Sequence, residues 1–300
     1  MRLAHDHARV RVPATSGNLG SGFDCLGMAH DLWDEVSATL TTGATRVTIL
    51  GEGAKDLPHD ESHLIVRVMR ETLERFGLPC GGIDLVCRNS IKQGRGLGSS
   101  AAAVVAGLML VRGLIDQPHE LDNETLLRLA MEYEGHPDNA APCIYGGVTL
   151  SWVGAQGEVR TVQLPVHPDV HAALLVPSEI LPTSEARAVL PASVPHTDAV
   201  FEASRSALLV HALGRCPQLL FDATEDRLHQ GYRAASMPHS AAMLTALRDA
   251  GWPAVISGAG PSILLFAPVD PGLAQVASSH GFQVIDSQVS GGAELLKSDE

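Results

Sequence analysis

The amino-acid sequence contains no basic cluster, no long apolar run and no Cys-x-x-Cys pair. Lys and Arg total 21 against 34 Asp and Glu, a formal net charge of −13. Nucleic acids are held through their phosphates by clustered Lys and Arg, so an acidic chain without such a cluster argues against a nucleic-acid partner. A phosphate held by a local nest of backbone N–H groups stays open. The longest apolar run, Ala101 to Val111, is closed by Arg112 and is shorter than the ~20 residues that cross a bilayer. The opening residues, Met1-Arg2-Leu3-Ala4-His5-Asp6-His7, lack the apolar centre of a signal peptide. Cys25, Cys80, Cys87, Cys143 and Cys216 are odd in number and irregular in spacing, so free thiols are expected rather than a disulfide framework. Together these absences lead us to expect a cytoplasmic protein without membrane or nucleic-acid partners.

Several catalytic signatures are also missing. No Gly-Lys pair occurs, which excludes Walker A, and Ser99 stands where the dinucleotide fingerprint needs a glycine. Gly-x-Ser-x-Gly is absent, which argues against a serine hydrolase. The 14 histidines include His59 and His63, four apart, and His5 and His7, two apart. No cysteine joins them and no His-Glu-x-x-His occurs, so structural zinc is not expected.

What is present is a globular composition, 45% hydrophobic and 18% charged over 300 residues, about two domains in length. Apolar periodicity predicts strands at Arg9–Val12, Trp33–Thr41, Arg46–Leu50 and Ile83–Cys87. It predicts helices at Ser62–Phe76, Gly98–Leu114 and Asn123–Tyr133. Strands are expected again at Gly147–Val153, Val159–Leu164 and His171–Val176. Helical stretches follow at 183–190, 196–213, 217–230 and 238–250. Strands return at 254–257, 263–266 and 283–286, with a helix at 271–280 between the last two. This is an α+β pattern of two domains, 1–160 and 161–300, changing over near Pro165 or Pro168.

The most informative segment is Gly94-Arg95-Gly96-Leu97-Gly98-Ser99-Ser100-Ala101-Ala102-Ala103. Alternating glycines let a backbone take positive φ and approach a ligand closely. Serine is a strong N-cap, so the following helix should start near Ser99 or Ser100. A helix start offers unpaired N–H groups and the positive end of a dipole, together a cradle for a di- or triphosphate. Either serine could add a hydroxyl to a bound Mg²⁺. Two further glycine-rich segments, Pro13–Asp24 and Ser257–Ser262, lie far away along the chain. Three such loops, with Asn18 and Asp24 in the first, suggest one shared cleft.

In this order the three loops resemble the motifs of the GHMP kinases, and within them those of the homoserine kinase family. Glu134-Gly135-His136-Pro137-Asp138-Asn139-Ala140-Ala141-Pro142 resembles another family segment. So does Glu225-Asp226-Arg227-Leu228-His229-Gln230, followed by Arg233 and Pro238. The resemblance implies ATP-dependent phosphorylation of the L-homoserine hydroxyl, giving O-phospho-L-homoserine on the route to threonine. It implies ATP and Mg²⁺ as cofactors, a homodimer, and the two-domain GHMP fold. That fold has an N-terminal domain with a left-handed βαβ crossover and a ferredoxin-like C-terminal domain, with the site between them. The chain departs from the family at Gly17, Ser21 and Lys92, where Ala, Pro and Pro are usual, and at His63, where an Asn often touches adenine.

Residue roles follow from the same resemblance. ATP is assigned to Gly94, Arg95, Gly96, Leu97, Gly98, Ser99, Ser100 and Ala101, with His63 at the adenine. Mg²⁺, which favours a few oxygens plus phosphate and water, is assigned to Glu134 with Ser100, Ser99 remaining the alternative. Asn18, Asp24, His136 and Asn139 are the homoserine contacts. Asp24 suits the ammonium; Arg187 and Arg233, with Thr183 beside them, suit the carboxylate. Asn139 and Arg187 are the residues assigned to catalysis. Relatives place an Asp base where this chain has Asn139, and an amide takes no proton at neutral pH. Transfer then rests on positioning and charge neutralisation, with the proton going to the γ-phosphate. Asp138 is the alternative base.

Overall fold

A computed structural model describes residues 1–297. The first sheet is built on two long strands, β1 (His7–Gly17) and β2 (Leu26–Thr41). They pair antiparallel from His7↔Thr39 to Gly17↔Gly27, and the register shifts between Pro13, opposite Trp33, and Ala14, opposite His30. Proline has no N–H to give the ladder, and irregularities of pairing collect at such positions. β3 (Arg46–Gly51) and β4 (Gly82–Asn89) are parallel neighbours joined through α1 (Leu64–Arg75), the crossover unit of this domain. α1 buries Ile65, Val66, Val68, Met69 and Leu73 on one face and ends before Gly77, whose φ is 65°.

α2 (Ser99–Leu114) has no polar face to lose: residues from Ala101 to Leu114 are buried on nearly all sides, as expected of a helix apolar all round. α3 (Asn123–Glu134) and α4 (Pro137–Tyr145) pack beside it, and β5 (Val148–Val153) with β6 (Val159–Leu164) extends the first sheet from β2. The periodicity passes over α4. Pro137 occupies its first turn and Pro142 its interior, and prolines read as breakers in a sequence.

The second sheet runs in the order β10 (Gln283–Ser287), β7 (Ala172–Val176), β9 (Ile263–Leu265), β8 (Ala254–Ile256), every pair antiparallel. Between β7 and β8 lie α5 (Thr183–Ala188), α6 (His196–Gly214), α7 (Leu220–Ala223), α8 (Gln230–Arg233) and α9 (Pro238–Asp249). α10 (Pro271–Ser279) precedes β10. Four antiparallel strands in the sequence order fourth, first, third, second, with helices in both crossovers, form the ferredoxin-like unit. Alternation along β7 sends Leu174 and Val176 into the main core, and Ala173 and Leu175 into a smaller core with Ile256 and Phe282.

One helical stretch is corrected. Residues 217–230 do not form a single helix but a 3₁₀ turn at Pro217–Leu219, the short α7, and then α8 from Gln230. The carboxylate of Asp226 accepts from the N–H groups of Leu228 and Gln230 at 2.8 and 2.7 Å. An aspartate that bonds backbone locally offers an alternative to helix, and here it breaks one. β6 spans the 160/161 division expected from the sequence, and the chain passes from one sheet to the other through 165–171. It also returns: β11 (Glu294–Leu295) pairs with β1, through Val10↔Leu295. Among the described residues no helix is long and apolar enough to cross a membrane.

Candidate active site

The three glycine-rich loops meet. Gly258 N donates to Gly17 O at 3.1 Å, and Ser262 N donates to Arg95 O at 3.1 Å. Ser257 Oγ donates to Gly96 O at 2.6 Å. A β-carbon on Gly96 would lie 2.2 Å from Ser257 O, so the third loop requires a glycine here, independently of any ligand.

Gly94, Gly96 and Gly98 have φ of 63°, 72° and 68°, the left-handed region where glycine carries no steric penalty. The helix cap differs from expectation. Gly98 is the N-cap of α2, and among the described residues no side chain caps the helix. A β-carbon on Gly98 would stand 1.9 Å from Thr15 Oγ1, which excludes serine from that position. The first-turn N–H groups of α2 therefore have no side-chain cap, as an anion site at a helix start requires.

A cavity of about 300 Å³ lies at this helix start. It is lined by Gly94, Gly96, Leu97, Gly98, Ser99 and Ser100 on one side. Glu134, His136, Asn139, Thr183, Arg187 and Arg233 line the other. Ser100 Oγ donates to Glu134 Oε1 at 2.6 Å, so of the two serines Ser100 is the one paired with the carboxylate. Burial raises the Glu134 pKa above the ordinary value, although the Ser100 hydrogen bond opposes it. A hydroxyl and a carboxylate oxygen beside an open phosphate cradle are the donor set a magnesium ion prefers.

On the acceptor side Asp24 and Arg187 are each other's partner. Arg187 Nη1 donates to Asp24 Oδ2 at 3.2 Å, and Nη2 donates to Oδ1. Asp24 reaches the cavity through this pair. Arg233 is 1% exposed. Its Nε donates to Ala186 O at 3.0 Å and its Nη1 to Gly258 O at 3.3 Å. Phe23 lies beneath both guanidinium groups, at 5.7 and 5.4 Å, and stacks on His229. His136 Nδ1 bonds Asp138 Oδ1 at 2.5 Å. Burial works against the charged imidazole, but that bond and the neighbouring carboxylates outweigh it and raise the His136 pKa. Asn139 Oδ1 accepts from Thr15 Oγ1 at 2.9 Å.

Three assigned residues have other duties. Asn18 donates from Nδ2 to Gly258 O at 2.8 Å and accepts at Oδ1 from Asp24 N at 2.9 Å. Its amide braces the first loop against the third. Arg95 Nε donates to Pro177 O and Nη1 to Gln93 O, at 3.0 and 3.1 Å, so its guanidinium ties the loop to β7's exit. Ala101 is fully buried and can offer a ligand only its backbone. The carbonyl-bound Arg95 and loop-bound Asn18 follow from contacts far apart in sequence. So do the places of Thr15, Phe23 and His229, which lie inside the quoted segments but drew no role from them.

His63 is not in this cavity. It lines a second one, of about 330 Å³, which shares Ser99 and Ser100 with the first. There the walls are apolar, with Val12, Val36, Leu57 and Ile65, and with Asp34 and His63 as polar groups. His63 Nδ1 accepts from Ile65 N at 3.3 Å, capping α1. Burial lowers its pKa. The neutral ring with Nδ1 as acceptor carries its proton on Nε2, a single donor.

Residues 63–147 match the family described as GHMP kinases N terminal domain, and residues 204–280 match GHMP kinases C terminal. Homoserine kinase of Clavibacter michiganensis subsp. michiganensis is 51% identical over 88% of this chain and 83% of that protein. The chain belongs to the homoserine kinase family. The Streptomyces coelicolor homoserine kinase is 49% identical over 87% of this chain and 85% of its own. The crystal structure of homoserine kinase from Cytophaga hutchinsonii superposes with a TM-score of 0.83 at 30% identity, covering 98% of both chains. Mevalonate diphosphate decarboxylase from Staphylococcus aureus, 16% identical with a TM-score of 0.67, shares the fold alone.

Proposed function

We propose that the chain transfers the γ-phosphoryl group of ATP to the hydroxyl of L-homoserine, giving O-phospho-L-homoserine on the route to threonine. Family membership supports the reaction. The observation that carries the substrate reading is the wall of Arg187 and Arg233, with Asp24 paired to Arg187, facing the uncapped start of α2 across one cavity. That wall suits a zwitterion: a carboxylate for the ammonium and planar cations for the carboxylate.

The triphosphate lies on the N–H groups of the loop from Gly94 to Ala101, and the nucleoside enters the apolar cavity where His63 Nε2–H donates to the base. Glu134 and Ser100 hold Mg²⁺, which when bound neutralises phosphate charge. Arg187 and Arg233 take the substrate carboxylate, with Thr183 at the rim; Asp24 and His136 surround the ammonium side. Asn139, held by Thr15, orients the hydroxyl. Asp138 is committed to His136, so the proton of the hydroxyl goes to a γ-phosphate oxygen. A loose transition state accommodates this, because little bond formation precedes departure of the leaving group. A cytoplasmic location and a homodimer belong to the same proposal and rest on the family.

The test is ADP release measured with homoserine, mevalonate, galactose and no acceptor. The proposal expects turnover with homoserine alone. Turnover with mevalonate or galactose instead would make the chain a kinase of another alcohol, and ADP release that no acceptor changes would remove the kinase reading.

A further inference from the structure

A line of hydrogen bonds links strand β2 to the phosphate loop through both other glycine-rich segments. His30 Nε2 is 2.7 Å from Ser16 Oγ, Ser16 Oγ is 2.6 Å from Ser257 Oγ, and Ser257 Oγ is 2.6 Å from Gly96 O. His30, Ser16 and Ser257 are each fully buried. The direction of the line can be derived from its end. A carbonyl only accepts, so Ser257 donates its single proton to Gly96 O. Ser257 must then accept from Ser16, and Ser16, its proton spent, must accept from His30. The ring therefore carries its proton on Nε2. His30 Nδ1 is then a bare lone pair, and it has no hydrogen-bond partner among the described residues. A second proton would find no acceptor there, in keeping with a pKa that burial lowers to about 4. The returning chain seals the ring from outside: Val289 bridges to His30, and Ser290 N donates to Ala29 O.

We propose that His30 is a positioning residue for the phosphate loop, acting through Ser16 and Ser257 to hold the Gly96 carbonyl away from the ATP phosphates. In a trans peptide the C=O and the following N–H point in opposite directions. Anchoring Gly96 O on the third loop thus turns Leu97 N–H to the other side, and Leu97 lines the cavity. The next peptide is anchored in the same way, because Leu97 O accepts from Thr15 N at 3.0 Å. With φ near 70° at Gly96 and Gly98, glycine leaves both peptides free to flip, and a flipped peptide would present an oxygen to an anion. The relay removes that freedom. The inference rests on the reading of this loop as the ATP site.

The experiment measures ATP affinity by calorimetry without acceptor, and KM for ATP and for homoserine, in wild type, His30→Leu, His30→Gln, Ser16→Ala and Ser257→Ala. Loss of the donor in His30→Leu, or of the middle link in Ser16→Ala, is expected to weaken ATP binding about tenfold, the scale of one lost hydrogen bond. KM for homoserine is expected to stay within about twofold of wild type. His30→Gln, whose amide can donate from nearly the position of Nε2, is expected to restore most of the affinity. The double variant His30→Leu with Ser16→Ala is expected to be no worse than either single one, because a relay already cut is not cut twice. Should His30→Leu fail to fold, Ser16→Ala and Ser257→Ala, each losing one oxygen, carry the same expectation. A wild-type protein that binds no ATP overturns the reading of the loop, and the relay with it. If wild type binds ATP and the folded variants bind it equally well, the relay alone is overturned. So is it if His30→Gln is as weak as His30→Leu, or if both KM values rise together, as general loosening would produce.

Discussion

Glu134 stands at the end of α3, 2.6 Å from Ser100 at the start of α2, so two helix termini bring a carboxylate and a hydroxyl to the same point. Its pKa is raised by burial. A metal ligand must be ionised, so the affinity for Mg²⁺ rises as pH climbs through that raised value. Glu134→Gln keeps the size and the Ser100 hydrogen bond but removes the charge. Activity is expected to fall steeply, and raising Mg²⁺ to recover little of it. Wild-type turnover by this variant at low Mg²⁺, in a titration of rate against metal, would show that Glu134 is not a ligand. Among the other assigned residues, Ser100, His136 and Arg187 were legible because each falls in a short motif. Thr15 was not: it matters only because Gly98 leaves it 2.9 Å from Asn139 Oδ1, across a sequence separation no local pattern reports.

At the scale of elements, periodicity located helices such as α1 that have one apolar face to bury, continuous apolar runs located α2 and β7, and the two-residue β11 was too short to leave a pattern. It passed over α4, whose prolines read as breakers, and it merged α7 and α8 because the Asp226 turn between them is a side-chain effect. Gly96 was read as a place for close ligand approach, yet its absent side chain is already required by the backbone of the third loop. α6 supplies a separate test. Glu202 on this helix is 4% exposed, and burial, chiefly, raises its pKa to about 8. Its Oε1 has no partner among the described residues. A carboxyl that holds its proton longer in the folded chain than in the unfolded one loses stability as pH rises between the two pKa values. The ordinary value is 4.5, so that loss accumulates from about pH 4.5 to about pH 8. Glu202→Gln removes it. The difference in Tm, variant minus wild type, is expected to grow more positive through this window and level off above it. A difference that does not change with pH would mean that Glu202 is ionised throughout.

For the whole molecule, the cleft exists because the two units share a core and three loops from distant parts of the chain close on one another. Motif order made the family legible, and composition made its classes of exclusion legible. The mutual engagement of Asp24 and Arg187 was not, because it joins the first loop to α5 across the domain junction. That pair makes the substrate reading sharp. The two side chains neutralise each other, and a zwitterion can supply a counter-charge to both.

The most direct test is a two-by-two comparison of kcat/KM: wild type and Arg187→Ala, each with L-homoserine and with the amino alcohol that lacks its carboxylate. Losing one partner of a desolvated charge pair costs about 2–5 kcal/mol, so a loss of roughly 3 kcal/mol lowers kcat/KM for homoserine about a hundredfold. The account predicts that loss for homoserine only. The amino alcohol is expected to be a poor acceptor for wild type and no poorer for Arg187→Ala, with ATP binding in the absence of acceptor unchanged. An equal penalty on both acceptors would place Arg187 on phosphate or on the fold, and would contradict an amino-acid substrate held by this wall.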